Sequence, residues 1–181
     1  MKNLSCALAQ GFAVVAVASG SLALGQESKP APATMSHHDV THDQLDVDRA
    51  AADAVSVVER FSTALAAGRI DSAARELDPK VVILESGGVE QSRDEYLAGH
   101  ATADAEFLKN AHITLQRRTA RATGDLAWVA SQSQIHVAKG AETMLIDSTE
   151  TMVLHKATDG WKIVHIHWSS RRASPRQPGQ T

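Results

Sequence analysis

Apolar residues recur at helical spacing early in the chain and alternate with polar ones late in it. Ala51, Ala54, Val55, Val58, Phe61 and Leu65 share one helical face behind Asp48, an N-cap type, and Gly68 supplies a stop. A short second helix is expected with Asp71 as its cap and Ala74 and Leu77 turned inward, ended by Pro79. Residues 81–85 are rich in β-branched side chains, and Ser86, Gly87 and Gly88 let the chain reverse into Val89 and Glu90 as a small hairpin. Ser92 followed by Glu95 is a capping box, which predicts a third helix over residues 93–109.

Four β-type segments follow, over residues 113–123, 126–137, 143–156 and 161–170. Turn signals at Gly124-Asp125, Lys139-Gly140 and Asp159-Gly160 separate them, so neighbours should pair as an antiparallel meander. Helix, helix, hairpin, helix and then strands is an α+β order: three helices packed on one curved antiparallel sheet, with room for a pocket between the layers. The domain should span residues 48–171.

The flanks read differently. Lys2, an apolar run over residues 4–18, and small residues at Ala23 and Gly25 have the layout of a secretory signal peptide covering residues 1–25, the alternative being an uncleaved anchor. Export makes the protein periplasmic or secreted, with no membrane attachment after cleavage. Residues 26–47, with Pro30, Pro32 and few large apolar side chains, read as a flexible spacer, and residues 172–181 as a disordered tail.

Composition narrows the chemistry. A chain of 181 residues, 43% hydrophobic, builds one ordinary core. Cys6, the one cysteine, lies in the leader, so the mature chain has no thiol or disulfide. Loss of Lys2 takes the formal charge from -3 to -4, and the basic residues are scattered rather than striped, which gives no footprint for nucleic acid.

On the third predicted helix the apolar face is centred on Leu97 and Leu108, with Tyr96, Phe107 and Ala101 beside them. His100 and Asp104 fall inside that arc one turn apart, so they are expected to touch. Their pairing is either a structural hydrogen bond, a pocket-lining pair that orients a ligand, or an acid/base dyad. In the last hairpin, a three-residue loop of Thr158, Asp159 and Gly160 would pair Ala157 with Trp161. Leu154 would then face Val164, Met152 would face Ile166, and Glu150 would face Trp168, all on the inward face. Glu150 either reaches water near the sheet edge or joins His100 and Asp104 in a polar pocket.

The run Ser148-Thr149-Glu150-Thr151-Met152-Val153-Leu154-His155, the Asp159-Gly160 turn, and the run from Trp161 through His165 and His167 to Ser169 resemble the nuclear transport factor two-like superfamily. The resemblance is to its SnoaL-like and calcium/calmodulin-dependent protein kinase II association-domain branches, over residues 49–171. It implies a cone-shaped, cystatin-like barrel, a homodimer or larger ring formed through the sheet, and a cavity that serves catalysis or small-ligand binding. Arginines line the kinase hub cavity, whereas the matching positions here are Met152 and Trp168, which implies a more apolar cavity with acidic groups at Asp104 and Glu150.

Three readings follow. A small-molecule ligand is held by His100, Asp104 and Glu150 with Tyr96, Met152 and Trp168 around it. Alternatively, a cofactor-independent isomerase, dehydratase or lyase uses Asp104 or Glu150 as base and His100 as acid. The third reading is a homo-oligomeric assembly module. Two histidine groups are candidate metal ligands: His37, His38 and His42 with Asp39 and Asp43 in the spacer, and His155, His165 and His167 on the last hairpin, the latter alternatively packing at an interface.

Overall fold

The structure, a computed structural model, describes residues 44–139 and 142–173. The signal-peptide reading, the spacer histidines and all but the first two residues of the expected tail lie outside the described residues. Strand β1 (Leu45–Val47) leads through a 3-10 turn into helix α1 (Ala52–Ala66), and the short helix α2 (Ile70–Ala74) follows. Strands β2 (Leu77–Glu85) and β3 (Gly88–Glu90) form the small hairpin, and helices α3 (Arg93–Ala98) and α4 (Ala101–Lys109) come next. Four long strands complete the chain: β4 (Ala111–Thr123), β5 (Leu126–Lys139), β6 (Glu142–Ala157) and β7 (Gly160–Arg172).

All seven strands make one sheet in the order β1-β4-β5-β6-β7-β2-β3. The meander β4 to β7 is antiparallel, as the turn signals require, while β1 on β4 and β2 on β7 are parallel. Helix α1 lays its apolar face across the inner side of the sheet, where Val57, Val58, Phe61 and Leu65 are buried. Beneath it one row of directly opposed residues crosses four strands: Val129, Met152, Ile166 and Ile83, each 0–1% exposed. Burial of each such side chain contributes about 1.5–3 kcal/mol, so this row and α1 form the centre of the core.

The second helix is shorter than expected, with Arg69 rather than Asp71 as its N-cap and with Leu77 and Pro79 in β2, and four further sequence expectations are revised. First, the spacer does not run to Val47: Leu45–Val47 pairs with Arg118, Thr119 and Ala120 on β4. Arg121 clamps this strand, donating to Asp46 Oδ2 at 2.7 Å and to the Asp46 carbonyl at 2.9 Å. Second, Asp48 makes no capping hydrogen bond with its side chain; its carboxylate lies 3.6 Å from Arg121 Nε.

Third, the helix predicted over 93–109 is broken at Gly99 (φ -113, ψ -91), giving α3 and α4. Ser92 does cap α3, accepting from the Glu95 amide at 3.1 Å, but the Glu95 carboxylate reaches the Gln91 amide at 2.7 Å instead of that of Ser92. Fourth, the turn of the last hairpin is shorter than expected, pairing Ala157 with Gly160 and Leu154 with Ile163. A bulge at Val164 then restores the expected pairs Met152–Ile166 and Glu150–Trp168. Val164, expected on the inward face opposite Leu154, is only half-buried, and Ile163 beside it is fully buried.

Candidate functional site

The inner face of the sheet is apolar near the β4–β5 and β6–β7 turns and becomes polar toward the other end. Two residues along from the core row, a second row crosses five strands: Arg118 on β4, Ser131 on β5, Glu150 on β6, Trp168 on β7 and Glu85 on β2. Two residues further, Ser133, Ser148 and Ser170 stand opposite one another. These two rows, roofed by Phe61 and Leu65 of α1 and by Asp104, Phe107 and Leu108 of α4, line a cavity of about 230 Å³. Ile113, Leu115 and Ile135 close its far wall. Alternation along each strand puts these side chains on one face, and the seven-strand curvature brings that face around the helices.

Trp168 is fixed at the centre of the floor. Its indole nitrogen donates to Glu150 Oε2 at 2.9 Å, and its ring lies 6.3 Å from Phe61, stacked, and 6.2 Å from Tyr96, tilted. Arg118, at the β4 end of the same row, donates from Nη1 to Glu59 on α1 at 2.8 Å and from Nε to Ser131 Oγ at 3.3 Å. Burial pushes the Glu150 carboxyl up, against the opposing pull of the Trp168 indole and Arg118.

Asp104 and Glu85 face the cavity from opposite layers. Asp104 is 4% exposed; its Oδ2 accepts from the Tyr96 hydroxyl at 3.0 Å, and its Oδ1 has no hydrogen-bond partner. Burial raises its pKa to about 6, although Tyr96 and His100 pull it down. Glu85 is raised to about 7, chiefly by burial and then by the charge of Asp104. The same carboxylate, with burial, pushes the Tyr96 phenol far above its ordinary value.

The expected contact between His100 and Asp104 is not formed. Because the helix breaks at Gly99, His100 is the N-cap residue of α4 and its Nδ1 pairs with the buried Glu90 carboxylate on β3. Of the residues singled out in the sequence, Asp104, Glu150 and Trp168 line the cavity. Tyr96 stands behind Asp104, His100 is outside the lining, and Met152 belongs to the core row below. Arg118 shows that the cavity does contain an arginine, supplied by β4 rather than by the two strands, β6 and β7, compared with the hub domains.

Sequence reasoning missed Glu85, Arg118 and the serines. The serines were within reach, since Ser131 and Ser133 continue the alternation of Val129, and Ser148 and Ser170 lie two residues from Glu150 and Trp168. Glu85 was not, because only the parallel pairing of β2 with β7 puts it opposite Trp168.

The three hairpin histidines do not converge. His155 lies opposite Lys162, on the other side of the bulge from His165, which donates from Nδ1 to the Val82 carbonyl at 2.9 Å. Among the described residues no group of three or more His, Cys, Asp or Glu is placed to hold a metal ion.

A family model for the SnoaL-like domain matches residues 55–172. The chain belongs to the SnoaL-like family. No curated protein matches the sequence. Among solved structures, this SnoaL-like domain is similar to a candidate ketosteroid isomerase from Shewanella frigidimarina NCIMB 400, at 35% identity and TM-score 0.62, covering 68% of this chain and 99% of that one. It is also similar to a candidate calcium/calmodulin-dependent protein kinase II association domain from Xanthomonas campestris, at 23% identity and TM-score 0.56, covering 68% and 89%. A nuclear-transport-factor-2-like protein with a cystatin-like fold from Novosphingobium aromaticivorans matches at 12% identity and TM-score 0.57, covering 65% and 79%. The last two likenesses concern the fold.

Proposed function

We propose that this SnoaL-like domain binds a small, partly apolar molecule between α4 and the inner face of the sheet. The observation that carries the reading is the cavity itself: aromatic and aliphatic walls around a polar floor of Glu85, Glu150, Arg118 and serines, with Asp104 opposite. At about 230 Å³ it falls below the roughly 300 Å³ at which drug-sized pockets begin, so its occupant is compact. The leader-like residues 1–25 favour a periplasmic or secreted site for this binding.

The test is to expose the purified domain to cell extract, wash it, denature it and identify released molecules by mass spectrometry. Ser148→Phe, which fills the cavity from the floor, is the control. An organic molecule retained by the wild type and missing from the variant is expected. A wild type that retains nothing beyond the filled variant overturns the reading.

A second reading, proton transfer within a bound substrate, is favoured by two cavity carboxyls raised to about 6 and about 7, where a base can work near neutral pH. It is also favoured by the 35% identity to the candidate ketosteroid isomerase. Glu85 or Asp104 is the base in this reading, and His100, bound to Glu90, has no part in it. Isomerase activity that survives unchanged in both Glu85→Gln and Asp104→Asn would remove it. Self-association through the outer face of the sheet is compatible with either reading, and the association-domain relative supports it.

A further inference from the structure

The charges around the cavity do not balance. Glu85, Asp104 and Glu150 line it, against a single cation among the described residues, Arg118. Arg118 is already matched by Glu59, which lies on the helix outside the lining. His100 is likewise committed to Glu90. Glu150 has the Trp168 indole as a donor, but Glu85 and Asp104 form no ion pair among the described residues.

A buried carboxylate without a counter-charge is costly, and a buried acceptor without a donor adds to that cost. Asp104 meets both conditions: it is 96% buried, it lines the cavity, and its Oδ1 has no donor. Around it stand the rings of Phe61, Phe107 and Trp168, whose faces attract positive charge. An anion entering here meets three acidic groups, and a purely apolar guest leaves Oδ1 as it is.

On the reading that this cavity binds a compact molecule, we propose that the molecule is an organic cation: a protonated amine whose N–H donates to Asp104 Oδ1, with its positive charge balancing Asp104 and Glu85 and its apolar body among the aromatic rings. The raised carboxyls accord with this, since both lack the counter-charge such a ligand brings. The titratable and charged groups facing them are Tyr96, His100, Glu90, Glu150 and Arg118, and Arg118 and His100 already have carboxylate partners.

The test uses three probes of one shape on the purified domain: cyclohexylamine, cyclohexanol and cyclohexanecarboxylate, titrated calorimetrically at pH 8 and pH 5. At pH 8 Glu85 and Asp104 are ionised, and cyclohexylammonium is expected to bind at least about tenfold tighter than cyclohexanol, with the carboxylate weakest. That preference should collapse at pH 5, where both carboxyls are protonated, and in Glu85→Gln and Asp104→Asn. Calorimetry near pH 6.5 in buffers of different ionisation enthalpy should show proton release as the amine binds. Binding of cyclohexanol as tight as that of the amine, lost in Ser148→Phe, overturns the cation and leaves the cavity reading standing. Failure of all three probes overturns the cation, and with an extract-exposed domain that retains nothing it overturns the cavity reading as well.

Discussion

Tyr96 and Asp104 are joined across the break at Gly99: the phenol of α3 donates to Oδ2 of α4 at 3.0 Å, while Oδ1 of the same carboxylate is buried without a donor. His100 still stands one turn before Asp104, whose amide donates to the His100 carbonyl at 2.9 Å, but its ring turns to Glu90 and leaves the Asp104 carboxylate to Tyr96. One carboxylate thus has one oxygen, Oδ2, satisfied by the core and one, Oδ1, left for the proposed amine.

Tyr96→Phe removes the only hydrogen bond Asp104 makes to a side chain among the described residues. The hydroxyl is one of the influences that lower the carboxyl, so its loss should push the Asp104 pKa above about 6. A destabilisation of about 1–3 kcal/mol is expected in urea unfolding at pH 8, where the carboxylate is charged. The loss should be smaller at pH 5, where the carboxyl is largely protonated and makes less of the bond. Equal losses at both pH values would mean that the hydroxyl does not support the charge.

Asp104→Asn tests the cost of that charge. A carboxyl raised from 3.8 to about 6 by folding binds more protons in the native state than in the unfolded chain between those values. Wild-type stability should therefore fall as pH climbs from about 4 to about 6, and Glu85, raised from 4.5 to about 7, extends the fall to about 7. Asparagine keeps an oxygen for Tyr96 and carries no charge. Its variant should be more stable than the wild type by on the order of 1–3 kcal/mol at pH 8, with the advantage gone by pH 4. Melting curves across that range decide it, and a variant less stable at pH 8 contradicts the charge penalty.

The parts of the fold that the sequence made legible rest on local rules. Gly68 at φ +69 ends α1, with the Arg69 amide bonded back to Ala64 at 2.8 Å, and the periodicity of Val58, Phe61 and Leu65 pointed to that helix. Ser86 at φ +48 and Gly87 at φ +85 turn β2 into β3 as the Ser-Gly-Gly signal requires. What escaped depends on distant partners. Leu45–Val47 becomes a strand because the edge of β4 is open to it, and Glu85 enters the site because β2 docks parallel to β7. A pattern of alternation also does not report where a bulge falls, so Val164 and Ile163 exchanged faces while Glu150 and Trp168 still met.

That exchange is measurable. Ile163 is fully buried and Val164 half-buried, so Ile163→Ala should cost about 2–5 kcal/mol in chemical unfolding. Val164→Ala, at a bulge with fewer neighbours to lose, should cost less than about 1.5 kcal/mol. The reverse order would place Val164 on the core face and shift the bulge to the turn.

The outer face of the sheet makes the last prediction. Trp128 is 39% exposed there, in a row with Arg121, Val153 and His165, and Leu126 on the same face is 53% exposed. An indole left half in water beside aliphatic neighbours is the kind of residue that anchors an interface once a second surface covers it. On the self-association proposed above, a second copy of this chain would cover the patch across a two-fold axis, with Trp128 of one against Val153 of the other. Sedimentation of the wild type at micromolar concentration should show a dimer, and Trp128→Glu should weaken it by about thirtyfold or more without changing the melting of the monomer. A wild-type monomer under those conditions removes this face as a contact between copies. It would leave the cavity reading untouched, because the cavity lies on the inner face of the sheet and this contact on the outer one.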